Sequence, residues 1–285
     1  MPPPAIANEI ERYLRTGETD PHHAAWTGDF LERGVRAHDE LRAALVCEVR
    51  RLAEGRCHQP VPNGVGPEFT RGKVEPMVRG LFPRAEQDIV LATLEGSVVY
   101  VTSENIESLL LASDFDRTAW DLANLYLGSL GAALLGKDAP SIVGLSESTT
   151  CYVSPDYFAE DDPFADFVVH EAAHIFHNCK RRTLGLRAKR GKEWLLDIAF
   201  GQRETFAYAC EAFACLLARA RSPAERRALA KEYAATVRLS DDRVDAAEVA
   251  RLVSEAASAR NGWKVILASC APSRRPHDRD LLSER

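Results

Sequence analysis

The sequence has no long hydrophobic run. No apolar stretch in its 285 residues approaches the roughly 20 residues that a membrane helix needs. Its start, Met1-Pro2-Pro3-Pro4, also lacks the basic and apolar regions of a signal peptide. We therefore expect a cytoplasmic protein that has no membrane among its partners.

Cysteine pairs and an excess of basic charge are also missing. The 7 cysteines are odd in number and form no C-x-x-C pair, so they indicate neither a disulfide framework nor an all-cysteine zinc site. Because 36 Lys and Arg stand against 42 Asp and Glu, the net charge of −6 makes nucleic acid an unlikely partner. The 46% of hydrophobic residues is enough for a full globular core.

One segment carries a chemical pattern: His170-Glu171-Ala172-Ala173-His174 is an H-E-x-x-H sequence inside an apolar run with helical spacing. Residues four apart on a helix lie one above the other, so both imidazoles can bind one metal ion while Glu171 lies at its open face. The preceding Asp161-Asp162-Pro163 predicts an N-cap and a first-turn proline for this helix, and residues 148–153 predict a strand. This order of strand, turn and H-E-x-x-H helix resembles the zincin metallopeptidases.

A catalytic zinc usually has three protein ligands and a water, so a third ligand is needed. The metzincin pattern fails, because His177 stands where its glycine should be and Lys180 where its last histidine should be. The only other downstream histidine, His277, lies in a tail rich in Arg, Asp and Pro. A carboxylate is therefore the expected ligand.

Residues 203–214 predict a buried helix that contains two acids, Glu204 and Glu211, seven positions apart on one face. Each carboxylate needs a metal, a cation or a hydrogen-bond partner, because an unpaired buried charge is very costly. Glu193, Asp197 and His177 are further alternatives for the third ligand.

The stretch Glu204-Thr205-Phe206-Ala207-Tyr208-Ala209 resembles the E-x-F-A-x-A stretch of some gluzincins, whose third ligand is a glutamate on a second helix. The resemblance, over residues 145–218, implies that Glu204 joins His170 and His174 in binding one Zn²⁺ per chain. It implies that Ala207 lets the two helices approach closely. Glu211 is then the alternative ligand, or a group that holds a ligand histidine by its other ring nitrogen.

These residues predict a zinc metallopeptidase in which Glu171 is the general base and a peptide or protein is the substrate. Tyr208 is our candidate for stabilising the oxyanion, with Tyr152, Tyr157 and His177 as alternatives. Two other functions stay open: a metal-dependent hydrolase of a non-peptide bond, and a non-catalytic interaction protein with a zincin-like fold. The basic residues over 180–192 predict a solvated loop, or else a surface that attracts acidic partners.

The predicted fold class is α+β: zincin-like and mainly helical, with a small β-sheet next to the H-E-x-x-H helix. We expect a helical N-terminal region over residues 1–84, a zincin-like catalytic domain over 85–268 and a disordered tail over 269–285. Residues 88–94 and 97–102 alternate like a β-hairpin. Asp116 is predicted to cap a long helix that continues to about Leu135.

Overall fold

A computed structural model of the chain describes residues 3–187, 192–239 and 241–272. Most of the predicted tail, from residue 273 on and including His277, lies outside the described residues. The described residues form α-helices and one small three-stranded sheet, so the predicted mainly helical α+β class is confirmed. None of the described helices combines the length and the apolar character that crossing a membrane requires.

Six of the described helices precede the H-E-x-x-H segment: α1 Pro4–Thr16, α2 Phe30–Ala53, α3 Pro67–Leu81, α4 Arg84–Glu95, α5 Ile106–Ala112 and α6 Asp116–Ser129. The other five described helices are α7 Phe167–Asn178, α8 Arg203–Arg219, α9 Pro223–Thr236, α10 Ala246–Ser258 and α11 Gly262–Cys270. The strands are β1 Val98–Tyr100, β2 Gly144–Glu147 and β3 Thr150–Val153.

The chain divides into two compact units that alternate along the sequence. The first unit contains residues 1–72 and 94–162, which include the sheet, and the second contains residues 73–93 and 163–285, which include α7. The predicted division at residue 84 and the predicted position of the sheet beside α7 stay predictions.

In the first unit, α2 packs against α1, α5 and α6 around a fully buried arginine, Arg42. Its Nε donates a hydrogen bond to Asp116 Oδ1 over 2.9 Å, and its Nη1 donates to the carbonyl of Leu110 over 2.8 Å. The predicted cap at Asp116 is therefore wrong, because Asp116 is the first residue of α6 and its carboxylate binds Arg42. The helix also ends earlier than predicted, at Ser129, and Gly131 follows with a φ of 58°.

The sheet has the order β1-β3-β2, with β1 parallel and β2 antiparallel to β3. The predicted strand over 148–153 is confirmed from Thr150 onward, while Ser148 lies in the turn with a φ of 53°. The predicted hairpin is wrong, because residues 88–94 belong to α4, whereas part of its second strand, predicted over 97–102, is present as β1. Val90, Leu91 and Leu94 are buried there at helical spacing and Ile89 is exposed, which is the pattern of a helix face and not of alternating strand faces.

In the second unit, α8 is the central helix and packs against α7, α9, α10 and α11. Its buried residues combine large side chains such as Phe206 and Phe213 with small ones such as Ala207 and Ala212. The packing is close where α11 begins: a Cβ atom at Gly262 would lie 2.4 Å from the ring of Phe213. The contact between α7 and α8 brings side chains of these two helices together.

Candidate metal centre

The helix that contains the H-E-x-x-H sequence begins later than predicted. Asp166, and not Asp161 or Asp162, is the N-cap of α7, and its carboxylate accepts a hydrogen bond from the Val169 amide over 3.3 Å. Phe164 is buried against Tyr233 two residues before this cap, with 5.3 Å between the ring centroids, so the chain around residue 164 packs into the core before the helix starts.

The two motif histidines meet on one side of α7, as their spacing predicts. The Nε2 atoms of His170 and His174 are 3.2 Å apart. His174 is buried and His170 is nearly so. Two ring nitrogens at this distance need a proton or a cation between them, since two lone pairs would otherwise face each other.

Glu204 lies in the first turn of α8 and completes the cluster. Its Oε2 is 3.3 Å from His174 Nε2 and 3.7 Å from His170 Nε2. Among the residues that the structure describes, His170, His174 and Glu204 form the one group that could hold a metal ion. Three atoms with these separations share a point about 2.0 Å from each, which is the length of a zinc–nitrogen or zinc–carboxylate bond. Two imidazoles and a carboxylate are also a donor set that catalytic zinc uses.

Glu211, the second buried acid of α8, contacts His170 from the other side of the ring. Its Oε2 is 3.0 Å from His170 Nδ1, and its Oε1 accepts a hydrogen bond from the Asp166 amide over 2.7 Å. The carboxylate therefore has a partner on each oxygen and holds the imidazole with Nε2 toward Glu204. This is the arrangement that keeps a ligand histidine in the tautomer needed for metal binding.

Glu171 differs from both of these glutamates. It is only 6% exposed, yet it makes no hydrogen bond or ion pair with any residue that the structure describes. Burial raises the pKa of this carboxyl group; His174 and His170 oppose the shift, while Glu204 and Glu211 add to it. A raised pKa makes the group a stronger proton acceptor once it is ionised.

The charges at the cluster favour a cation. Burial raises the pKa of Glu204, but hydrogen bonds with His170 and His174 outweigh it, and the pKa lies well below the usual range. Burial lowers the pKa of His170. Glu204 and Glu211 raise this pKa by a larger amount, so that it lies well above the usual value. No Lys or Arg among the described residues forms an ion pair with Glu171, Glu204 or Glu211.

His177 lies next to the cluster and is hydrogen-bonded to His174, a contact that the sequence did not predict. Its Nε2 is 3.0 Å from His174 Nδ1, and its own Nδ1 is 3.0 Å from the side-chain oxygen of Asn178. Burial, with smaller effects from His174 and Arg203, lowers the pKa of His177 to about 3, so the ring is neutral at physiological pH. The only sequence signal is the spacing of three from His174, which puts both on one helix face.

Tyr208 also contacts the cluster, since its ring lies edge-on to that of His170 with 4.6 Å between the centroids. Tyr152 and Tyr157 belong to the first unit, and Glu193 forms an ion pair with Lys180 at 2.6 Å. Asp197 is not in the metal-binding group of the described residues.

The basic segment that follows α7 is only partly the predicted solvated loop. Arg181 is buried and its guanidinium binds the carboxylate of Glu86 at 2.8 and 3.2 Å, so this residue is part of the packed interior. Lys189 and Arg190 lie outside the described residues.

Comparison of the chain with protein-family models, with curated proteins and with solved structures finds no match. What the centre can do therefore follows from its own side chains.

Proposed function

We propose that this protein is a zinc-dependent metallopeptidase of the zincin type. One observation carries the proposal: a cluster of His170, His174 and Glu204 with metal-ligand separations lies on the same helix pair as Glu171, a buried carboxyl group that has no hydrogen-bond or ion-pair partner among the described residues. The zincin-like fold, the cytoplasmic location and the peptide or protein substrate are parts of the same proposal.

The three cluster residues and Glu171 have different chemical roles in this proposal. His170, His174 and Glu204 would hold the zinc, which when bound supplies the Lewis acidity that acidifies water and polarises a carbonyl. Glu171 accepts a proton from the attacking water and delivers it to the leaving nitrogen. Its burial supports this role, because a carboxyl group without a structural partner is available for proton transfer.

Tyr208 is the proposed donor to the developing oxyanion. It lies one turn after Glu204 on α8, and its ring contact with His170 holds it beside the cluster. A phenol O–H in this position can stabilise the negative charge that forms on the substrate oxygen as water attacks.

The decisive experiment combines metal analysis with a change at Glu171. We expect the protein purified without added metal to contain about one zinc per chain. Glu171→Gln should keep this zinc and the fold but lose activity on a peptide library by about 100-fold or more, because an amide cannot accept the proton. Glu193→Gln is the matched control, since Glu193 is an exposed acid of the same unit and should keep full activity.

Three results would contradict the proposal in different ways. Loss of zinc in Glu171→Gln would mean that Glu171 is a ligand and not the base. Turnover of esters or non-peptide amides without any peptide cleavage would favour the metal-dependent hydrolase of another bond. A protein without metal that added zinc cannot load would favour the interaction protein.

A further inference from the structure

The two histidines of the cluster have different hydrogen-bond partners at Nδ1, the ring nitrogen that faces away from the cluster. His170 Nδ1 faces the carboxylate of Glu211, whereas His174 Nδ1 faces the ring of His177. Metal-binding histidines usually donate their other N–H to a carboxylate, a backbone carbonyl or a water. His174 is instead hydrogen-bonded to the imidazole of His177, which is itself hydrogen-bonded to the side-chain amide of Asn178.

We propose that His177 is a positioning residue that keeps His174 in the tautomer able to bind the metal. The proposal rests on the zinc centre proposed above and adds a role to a residue outside the ligand set. His177 acts through His174 and touches neither the metal nor the substrate.

The hydrogen bonds allow one chain of protons that leaves His174 Nε2 free. If Nε2 offers its lone pair to the metal, the ring proton of His174 is on Nδ1 and is donated to His177 Nε2 over 3.0 Å. His177 must then carry its own proton on Nδ1, and this proton has an acceptor in Asn178 Oδ1, also at 3.0 Å. All the polar atoms along this chain are satisfied in the metal-binding tautomer.

The opposite arrangement would block the centre. If His177 Nε2 carried the proton, it would donate to His174 Nδ1, and the neutral ring of His174 would then have its proton on Nε2. That proton would point at His170 Nε2 and Glu204, where the metal belongs. The side-chain oxygen of Asn178, facing His177 Nδ1, favours the first arrangement because it accepts a proton there and donates none.

His177 is not itself in a position to bind the same metal. Its Nε2 approaches the nitrogen of His174 that faces away from the cluster, and His177 is not part of the metal-binding group of the described residues. It is 3% exposed, so the hydrogen bond is shielded from water and contributes more than an exposed one would.

Zinc affinity, measured by competition with a chelator, tests the proposal without reference to activity. His177→Leu removes the acceptor with little change in volume and should weaken zinc binding by about 10–100-fold. His177→Gln keeps a carbonyl oxygen that can accept the proton of His174 Nδ1, so its affinity should stay close to that of the unchanged protein. Phe176→Leu is the control for packing: it alters the adjacent buried residue and should lower stability while leaving zinc affinity unchanged.

The ring tautomers of the zinc-loaded protein provide a direct second measurement through proton–nitrogen NMR of the histidine side chains. We expect the proton on Nδ1 in both His174 and His177. A proton on His177 Nε2 overturns the proposal, as does an unchanged zinc affinity in a folded His177→Leu variant. If the unchanged protein binds zinc, these failures concern His177 alone; if it binds none, the zinc centre itself is wrong.

Discussion

Two partly buried carboxylates, Asp116 in the first unit and Glu204 in the second, have very different partners. In the first unit, Asp116 binds the guanidinium of Arg42, with 2.9 Å between Oδ1 and Nε. In the second unit, Glu204 pairs with two imidazoles, at 3.3 and 3.7 Å, and with no Lys or Arg among the described residues. An arginine keeps its charge at any ordinary pH, whereas an imidazole that offers a lone pair is neutral.

The difference separates a structural ion pair from the proposed metal site. The chain itself neutralises Asp116, and this pair joins α2, α5 and α6. Around Glu204 the chain supplies two further carboxylates, Glu171 and Glu211, and no contacting Lys or Arg among the described residues. The negative charge of the second site is therefore balanced by protons on the histidine rings or by a bound cation, and a divalent ion is the cation that we propose.

The largest expected effect concerns the structural pair. Arg42→Leu leaves Asp116 with His38 as its one ion-pair partner among the described residues and removes the buried hydrogen bond to Leu110, which should lower the free energy of unfolding by about 3–5 kcal/mol. Denaturant unfolding measures this loss. Arg50→Leu is the control, because Arg50 pairs with Glu107 on the surface and its replacement should change stability very little. A stable Arg42→Leu protein would remove the distinction drawn here for Asp116.

The next effect concerns Glu204. Glu204→Gln keeps the size of the side chain but loses the charge. The affinity for zinc should fall by more than about 100-fold, so that a weak chelator removes the metal. Asp116→Asn makes the same chemical change in the first unit and should leave the zinc content of the folded protein unaltered. If Glu204→Gln retains its zinc and Glu211→Gln does not, Glu211 is the ligand.

The smallest of the three effects is expected at Glu211. Glu211→Gln keeps an oxygen that can accept from either His170 Nδ1 or the Asp166 amide, but it removes the charge that both share. Zinc affinity should fall by about 10–100-fold, an amount typical for a partner that orients a ligand. Isothermal titration of the zinc-depleted protein measures this change. A decrease as large as that of Glu204→Gln would mean that both glutamates bind the metal.

The helix of the H-E-x-x-H sequence could be predicted because its signal is local. Both histidines and the apolar residues around them follow one helical period, and the structure keeps that period over α7. The choice between Glu204 and Glu211 is not local, because both lie on one face of α8. Which of them reaches the Nε2 atoms depends on how α7 packs against α8, and no spacing within either segment encodes that.

Two wrong predictions have the same origin. Asp116 stands where a capping residue is expected, but Arg42, 74 positions earlier, binds its carboxylate. Residues 88–94 are too short an apolar run to distinguish a strand from a helix, and the packing of Val90, Leu91 and Leu94 decides for the helix. The contact between His177 and His174 could not be predicted from the sequence either, because it depends on the ring orientation of His174.

The hydrogen bond from the Asp166 amide to Glu211 has a consequence for local unfolding. Asp166 begins α7, and the carboxylate that accepts its N–H also holds His170. Fraying of the first turn of α7 would therefore withdraw a support from a metal ligand, and metal binding would in turn oppose fraying. Binding of the proposed metal should therefore slow the exchange of the Asp166 amide proton with solvent, although Asp166 is not one of the proposed ligands.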